Sequence, residues 1–469
     1  MTKTRSIAMK NEQDTFGRIM THLVPWLQKR MPGAQHLSIS GIQKPGMGLS
    51  NETFLFDLAW EEQGKRITKG MVLRAAPLDH KVFPEYHLNH QFLIMRALRQ
   101  SNVPVPEMFW QEEAPEVIGT PFYIMERLSG TMPKDYPSYH GSGVYFDATP
   151  EQRSLMWWRA LEMLARTNMA DWRKLGLDFL GVPQAGTGPI DRQLAYWSRF
   201  LDWIKDDPSE SYPVLEKALQ WLRDNAYVPE RVCLCWGDAR MGNVLYGEPD
   251  FNVVAVLDWE MAFLGDPEAD LAWFVFMDWY LSAEYSLPRL PGSPGRDETI
   301  RRYEELTGWK VRNFDYNEVF AAMRFGMILI SVLKKMKRQG VPIADDMYHN
   351  NCCTRRIADV LGLEAPGEHK KTVNVKEDLV TIQFNFTGPG GSDWYIVSEQ
   401  GRARRHEGTV KDPTCTVRAT AEDWRCLQNG TLNQIEAWKT GRLVVEGELK
   451  VMIELKDEIS RLQSAEARV

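Results

Sequence analysis

Cysteine is scarce in this chain of 469 residues, with six in all. No CxxC pair has a matching second pair, so a structural zinc site is not expected. Cys233 and Cys235 alternate along an apolar segment and read as reduced core residues. This usage fits a reducing, cytoplasmic compartment. Excess positive charge is also missing. The net charge of −7 argues against nucleic acid as the main partner. Long apolar runs are absent as well. Phe325 to Leu333, interrupted by Gly326 and Ser331, is too short to span a bilayer, so no transmembrane segment is expected. The opening MTKTRSIAMKNEQ lacks the apolar core of a secretory signal. The closing EARV is not the SKL address of peroxisomal import.

Aromatics, by contrast, are plentiful: 17 Trp and 15 Tyr suggest large buried surfaces or roomy apolar pockets. Any one of them is most simply core. The length exceeds what one hydrophobic core serves and predicts two or three domains. Residues 37–45 and 50–60 alternate and are joined by PGMGLS, which predicts a hairpin with a flexible loop. Residues 71–75 and 122–128 read as further strands. Between them, Leu88, Phe92, Met95 and Leu98 have helical spacing, and VPVP ends that helix. From 150 the pattern is mainly helical, with a strand–loop–strand at 232–258. The spacer 130–149 reads as a surface loop over a site. Pro, Gly and charge mark a linker at 363–372. Beyond it, alternating segments predict an antiparallel sheet with helices, a separate α+β domain.

The strand–loop–strand carries the chemistry. WGDARMGNVLYGEPDFNVVAVLDWE places Asp238, Asn243 and Asp258 around one hairpin. Kinase-type phosphoryl transfer needs such a set: one carboxylate to accept a hydroxyl proton, and an Asn and an Asp to hold magnesium. Magnesium takes hard oxygen ligands completed by phosphates and water. A polar hairpin with capping Asp and Asn would also carry each residue singly; the combined spacing favours the phosphate reading. In GDPEAD, Asp266 before Pro267 reads as a helix N-cap, and Asp270 as a brace for the loop. The loop PGMGLSNET offers Ser50, Asn51 and backbone N–H groups to phosphate, and Arg74 offers a cation. Taken alone, these are more simply an ordinary hairpin and a solvated Arg.

Residues 37–360 resemble the aminoglycoside phosphotransferase family of the protein-kinase-like fold. The stretches GMGLSNETF, MVLRA, VPVP, FYIMERLSG, GDARMGN, LDWE and GDPEADLAW carry the likeness, which is nearest to the acyl-CoA-associated branch. The resemblance implies a nucleotide-binding lobe over 1–128 and a mainly helical catalytic lobe over 129–362. It implies Asp238 as catalytic base, Asn243 and Asp258 as ligands of Mg2+, and Met125 guarding an adenine pocket. The backbones of Glu126 and Leu128 would bond the adenine edge of ATP, or of GTP. Three positions depart from the family: its Lys is Arg74, the helix Glu is Gln91, and the loop His is Trp236. An Arg–Gln pair keeps the cation without the ion pair. Trp236 would brace the loop by packing and by its single N–H.

Residues 373–469 resemble the sterol carrier protein type-2 fold through IQFNFTGPGGSDWYIV, KDPTCTVRAT and IEAWKTGRLVVEGELKVMIEL. That fold implies an apolar tunnel for fatty acyl, sterol or acyl-CoA ligands. The expected fold class is α+β, a two-lobed kinase-like part followed by a sterol-carrier-type domain. The expected function is ATP-dependent phosphorylation of a hydroxyl on a lipid-like molecule, a hydroxyacyl-CoA or a sterol. The alternative is a catalytically inactive lipid carrier with a nucleotide-binding module. Aminoglycoside modification is a third, weaker option.

Overall fold

The computed structural model describes residues 16–364, apart from 20, 46–49, 79–80, 183–187, 286 and 342. It also describes 379–428, apart from 400 and 401, together with 432, 437, 442–447, 451 and 455. Most of the expected 45–50 loop, most of the 363–372 linker, the helix at LNQIEAWKTG and the terminal helix lie outside the described residues. The chain divides into two compact units: Met1–Arg338 with Ile343–Pro366, and Gln339–Pro342 with Gly367–Val469.

The first unit opens with helix α1 (residues 21–30) and the strands β1 (Gln35–Gln43), β2 (Glu52–Glu62) and β3 (Lys65–Ala75). Gln63 and Gly64 both have positive φ, which gives the tight two-residue turn joining β2 to β3. Helix α2 (Leu88–Leu98) and strands β4 (Met108–Glu112) and β5 (Phe122–Glu126) complete an antiparallel sheet of order β1-β2-β3-β5-β4. Strand periodicity sorts its faces. Phe54, Phe56, Leu58, Leu73, Phe122 and Ile124 pack with Leu23, Trp26 and Leu27 of α1. Val72, Tyr123 and Met125 face Leu88, Phe92, Met95 and Leu98 in the larger core.

After a short α3 (Val144–Asp147), the helical part follows. Helix α4 (Pro150–Met169) starts at a capping box: Thr149 N–H donates to Gln152 Oε1 and Gln152 N–H to Thr149 Oγ1. Then come α5 (Pro189–Trp203), α6 (Pro213–Asp224), β6 (Cys233–Cys235), β7 (Val244–Tyr246), β8 (Val253–Val256) and β9 (Phe263–Gly265). Helices α7 (Glu268–Ala283), α8 (Arg296–Thr307), α9 (Phe314–Arg338) and α10 (Cys352–Leu361) close the unit. The small strands pair as β6–β9 and β7–β8, which sets the loop of Asp238 and Asn243 between two hairpin ends. Sequence patterning did not reveal α8, because RDETIRRYEELT buries only Thr299 and Tyr303 and has no apolar stripe.

The second unit has β10 (Val380–Thr387), β11 (Asp393–Glu399), β12 (Arg402–Glu407), β13 (Cys415–Thr420), helix α11 (Ala421–Gln428) and β14 (Leu443–Gly447). The sheet order is β12-β11-β10-β13-β14. It is mixed rather than antiparallel as the sequence led us to expect, because β13 runs parallel to β10. The connection 408–414 crosses back over the meander, and buried Gln383 anchors it. Gln383 Nε2 donates to Gly408 O at 3.2 Å, and Val410 N–H donates to Gln383 Oε1 at 2.8 Å. Phe384 stacks on Trp394 at 4.0 Å, with Trp424 of α11 packed against both Phe384 and Phe386. No disulfide joins any of the six cysteines. Among the described residues no helix is long and apolar enough to cross a membrane.

Candidate active site

The loop after β6 carries Asp238, which is buried and takes hydrogen bonds from three sides. Arg240 Nε donates to both carboxylate oxygens at 2.9 Å, Asn243 Nδ2 to Oδ2 at 2.8 Å and Trp273 Nε1 to Oδ1 at 2.9 Å. Burial, then the charge of Asp258, pushes the Asp238 carboxyl up to about 8. A cation on Asp258 would oppose that second effect. The N–H groups of Asn243 go to Asp238, which leaves its Oδ1 as the atom it can offer a metal. Arg240 also pairs with Asp135, so the spacer 130–149 is tied to this loop.

Asp258 follows β8 with a positive φ of 62°, a backbone that turns its side chain back to the loop. Its Oδ2 meets Arg74 Nη2 at 3.5 Å, and its buried Oδ1 has no hydrogen-bond partner. Arg74 Nε and Asn51 Oδ1 are likewise buried without partners. Buried polar atoms are nearly always satisfied, so this donor and these acceptors suit a triphosphate and a magnesium ion. For Arg74, burial opposes the charge, and Asp258, Tyr123 and Glu260 outweigh it, raising its pKa. Gln91 does not pair with Arg74 here; its Oε1 accepts from Tyr123 Oη at 3.1 Å.

Ser50 and Asn51, read from sequence as phosphate-facing, bond Glu260 instead. Ser50 Oγ donates to Glu260 at 2.7 Å and Asn51 Nδ2 at 2.6 Å. Burial, then Asp258, raises the Glu260 carboxyl to about 8. Glu260 closes the LDWE stretch, and only that stretch could have flagged it. Met125 is buried on β5. Glu126 directs its N–H to Glu107 O at 2.8 Å, so any adenine bond from this residue falls to its carbonyl. Leu128 lies just beyond β5.

Bracing is extensive. Trp236 N–H and Gly237 N–H donate to Asp270 at 2.6 and 2.8 Å, and Asn168 Nδ2 adds a third bond at 3.0 Å. Trp236 Nε1 donates to Leu257 O at 2.9 Å and Asp258 O at 3.2 Å. Asp266 Oδ1 accepts from Glu268 N–H at 3.1 Å, the bond expected of a cap, although α7 begins one residue later than the sequence suggested. Its other oxygen is bonded by Tyr227. Arg240, Trp273, Asp135 and Glu260 were not singled out from sequence, since their partners are far along the chain or of no fixed spacing.

A strand-rich lobe, a helical lobe and an Asp–Asn–Asp hairpin set between small antiparallel pairs define a protein of the kinase-like fold. Residues 41–309, more than half of the chain, match the phosphotransferase enzyme family, and the chain belongs to it. Residues 368–459 match the SCP-2 sterol transfer family. The chain is 30% identical over 297 residues to acyl-CoA dehydrogenase family member 10 of Mus musculus, covering 61% of this chain and 26% of that protein. It is 26% identical over 308 residues to family member 11 of Homo sapiens, covering 63% of this chain and 36% of that one. It thus spans about a third or less of the length of these relatives. The crystal structure of a Ralstonia eutropha protein assigned as an aminoglycoside phosphotransferase has the same fold. Its TM-score is 0.52 at 23% identity, covering 72% of this chain and 94% of that one.

Proposed function

We propose that this protein transfers the γ-phosphoryl group of ATP, or of GTP, to a hydroxyl of a lipid-like small molecule. The observation that carries the reading is the convergence of Asp238, Asn243 and Asp258 at one buried hairpin. Asn243 and Asp258 would hold magnesium, which neutralises charge on the triphosphate when bound. Arg74 adds a cation for phosphate. Asp238 orients the acceptor hydroxyl and takes its proton as the new O–P bond forms, while the bond from the γ-phosphorus to the β–γ bridging oxygen breaks and ADP, or GDP, leaves. Trp236 and Asp270 keep the loop in register. Met125, Glu126 and Leu128 would meet the base of the nucleotide. The domain of SCP-2 type, taken as residues 373–469, would supply an apolar acceptor, its tether raising local concentration to roughly millimolar. The names of the acyl-CoA dehydrogenase relatives favour a hydroxyacyl-CoA over a sterol. Six cysteines without a disulfide support a cytoplasmic location. Incubation with Mg-ATP and a panel of hydroxylated acyl-CoAs and sterols, read by mass spectrometry, tests the reading. One acceptor should gain a phosphate; none gaining it counts against the proposal.

A second reading, a lipid carrier without phosphotransfer, draws on the Glu260 contacts that occupy Ser50 and Asn51. Thermal-shift titration separates the two: stabilisation by acyl-CoA with none by Mg-ATP or Mg-GTP favours the carrier.

A further inference from the structure

Asp135 lies in the segment between β5 and α3, and its place is fixed from both sides. Thr131 N–H donates to Tyr246 O at 2.8 Å and Tyr246 N–H donates to Thr131 O at 2.8 Å, which ties the segment to β7. Ser138 Oγ donates to Leu281 O at 2.7 Å and Tyr139 Oη to Asp278 Oδ1 at 2.7 Å, which ties it to α7. Both anchors adjoin Asp238. Strand β7 starts directly after Asn243, and α7 carries Trp273, whose N–H reaches Asp238. Between these anchors, Asp135 Oδ2 pairs with Arg240 Nη1, while Arg240 Nε donates to both oxygens of Asp238 at 2.9 Å. One guanidinium thus spans two carboxylates.

The other oxygen of Asp135 shows how closely the pair is seated. Oδ1 is buried with no hydrogen-bond partner among the described residues, and it lies against Gly242. A Cβ at Gly242 would stand 2.7 Å from this oxygen and 3.2 Å from Arg240 Nη1, so glycine is what leaves room for the pair. An ion pair serving the surface alone would keep both oxygens in water, where it contributes little. Arg240 gives the seat a use. An arginine held at Nε alone keeps much of its rotamer freedom, and the charge of nucleotide phosphates competes for it. Asp238 would then lose a donor that fixes its carboxylate. We propose that Asp135 is a positioning residue: it anchors the far end of Arg240 and so holds Asp238 aimed at the acceptor hydroxyl. The aim rests on the phosphotransferase reading; the tether rests on the contacts alone.

The test uses the full chain and two readouts. One is ADP formed from Mg-ATP with the panel of hydroxylated acyl-CoAs and sterols present. The other is backbone hydrogen exchange in the peptide covering 238–243. Asp135→Asn should lower kcat roughly tenfold to a hundredfold without raising KM for Mg-ATP, and should speed exchange in that peptide. Asp135→Glu should recover part of kcat. Gly242→Ala, which crowds the same seat from the other side, should repeat the loss. In an Arg240→Ala background Asp135→Asn should cost nothing further, because the tether is already gone. Unchanged exchange in Asp135→Asn overturns the proposal, as does an unchanged kcat, or an equal loss with and without Arg240. If exchange rises through Arg240 in this way and wild type forms no ADP, the tether stands and the phosphotransferase reading fails.

Discussion

The indole N–H of Trp236 donates to the carbonyl of Leu257 at 2.9 Å, tying the start of the Asp238 loop to the strand that presents Asp258. This bond joins the Asp238 side of the site to its Asp258 side. Trp236→Phe removes the donor and leaves two carbonyls unmet, at a cost of about 1–3 kcal/mol. The melting temperature and kcat should both fall. Trp236→His keeps a donor in a smaller ring and should retain more of kcat. Melting curves and steady-state rates check this, and a Trp236→Phe protein equal to wild type in both refutes the bracing role.

Gly237 makes the next prediction. Its φ is 86°, and an added Cβ would collide with the carbonyl of Met261. Gly237→Ala should therefore shift the loop backbone and lower stability and turnover together. Unfolding in denaturant, measured beside kcat, reads both. A variant with full kcat contradicts the strain argument.

Much of this site was legible because its spacing is local. Asp238 and Asn243 lie within one loop, Asp258 ends the next strand, and Asp270 follows on the next helix. Periodicity exposed α2 for the same reason. The pairing of Ser50 with Glu260 joins residues 210 positions apart, and that of Trp273 with Asp238 spans 35. No pattern in a single chain encodes such contacts. The parallel β10–β13 pair was hidden similarly, since strand alternation does not say which way a crossing connection returns.

Glu260 accepts hydrogen bonds from both Ser50 and Asn51. Glu260→Ala leaves Ser50 and Asn51 without their shared acceptor and should raise KM for ATP several-fold, with a smaller change in kcat. Initial rates across ATP concentrations report the split. A lower KM would mean that Glu260 competes with phosphate instead of preparing its site.

Asp278 is the prediction for pH. Although burial opposes its charge, His140, Arg289 and Tyr139 hold its carboxyl below the usual Asp range. A depressed folded pKa contributes stability above the unfolded value, near 4, and loses it as pH falls through the folded value. Wild type should therefore lose stability below about pH 4 partly through this group. Asp278→Asn should remove that component and cost about 1–3 kcal/mol near neutrality, because Tyr139 and Arg289 lose their charged acceptor. Urea unfolding at several pH values checks both, and parallel stability curves for the two proteins speak against the network.

The most direct measurement is phosphoryl transfer from Mg-ATP to a hydroxylated acceptor, comparing wild type with Asp238→Ala. Loss of a general base should slow transfer by about a hundredfold to ten-thousandfold, with Mg-ATP binding kept. Equal transfer by the two proteins would contradict the account, because the hairpin that joins Asp238, Asn243 and Asp258 would then not be where the chemistry happens.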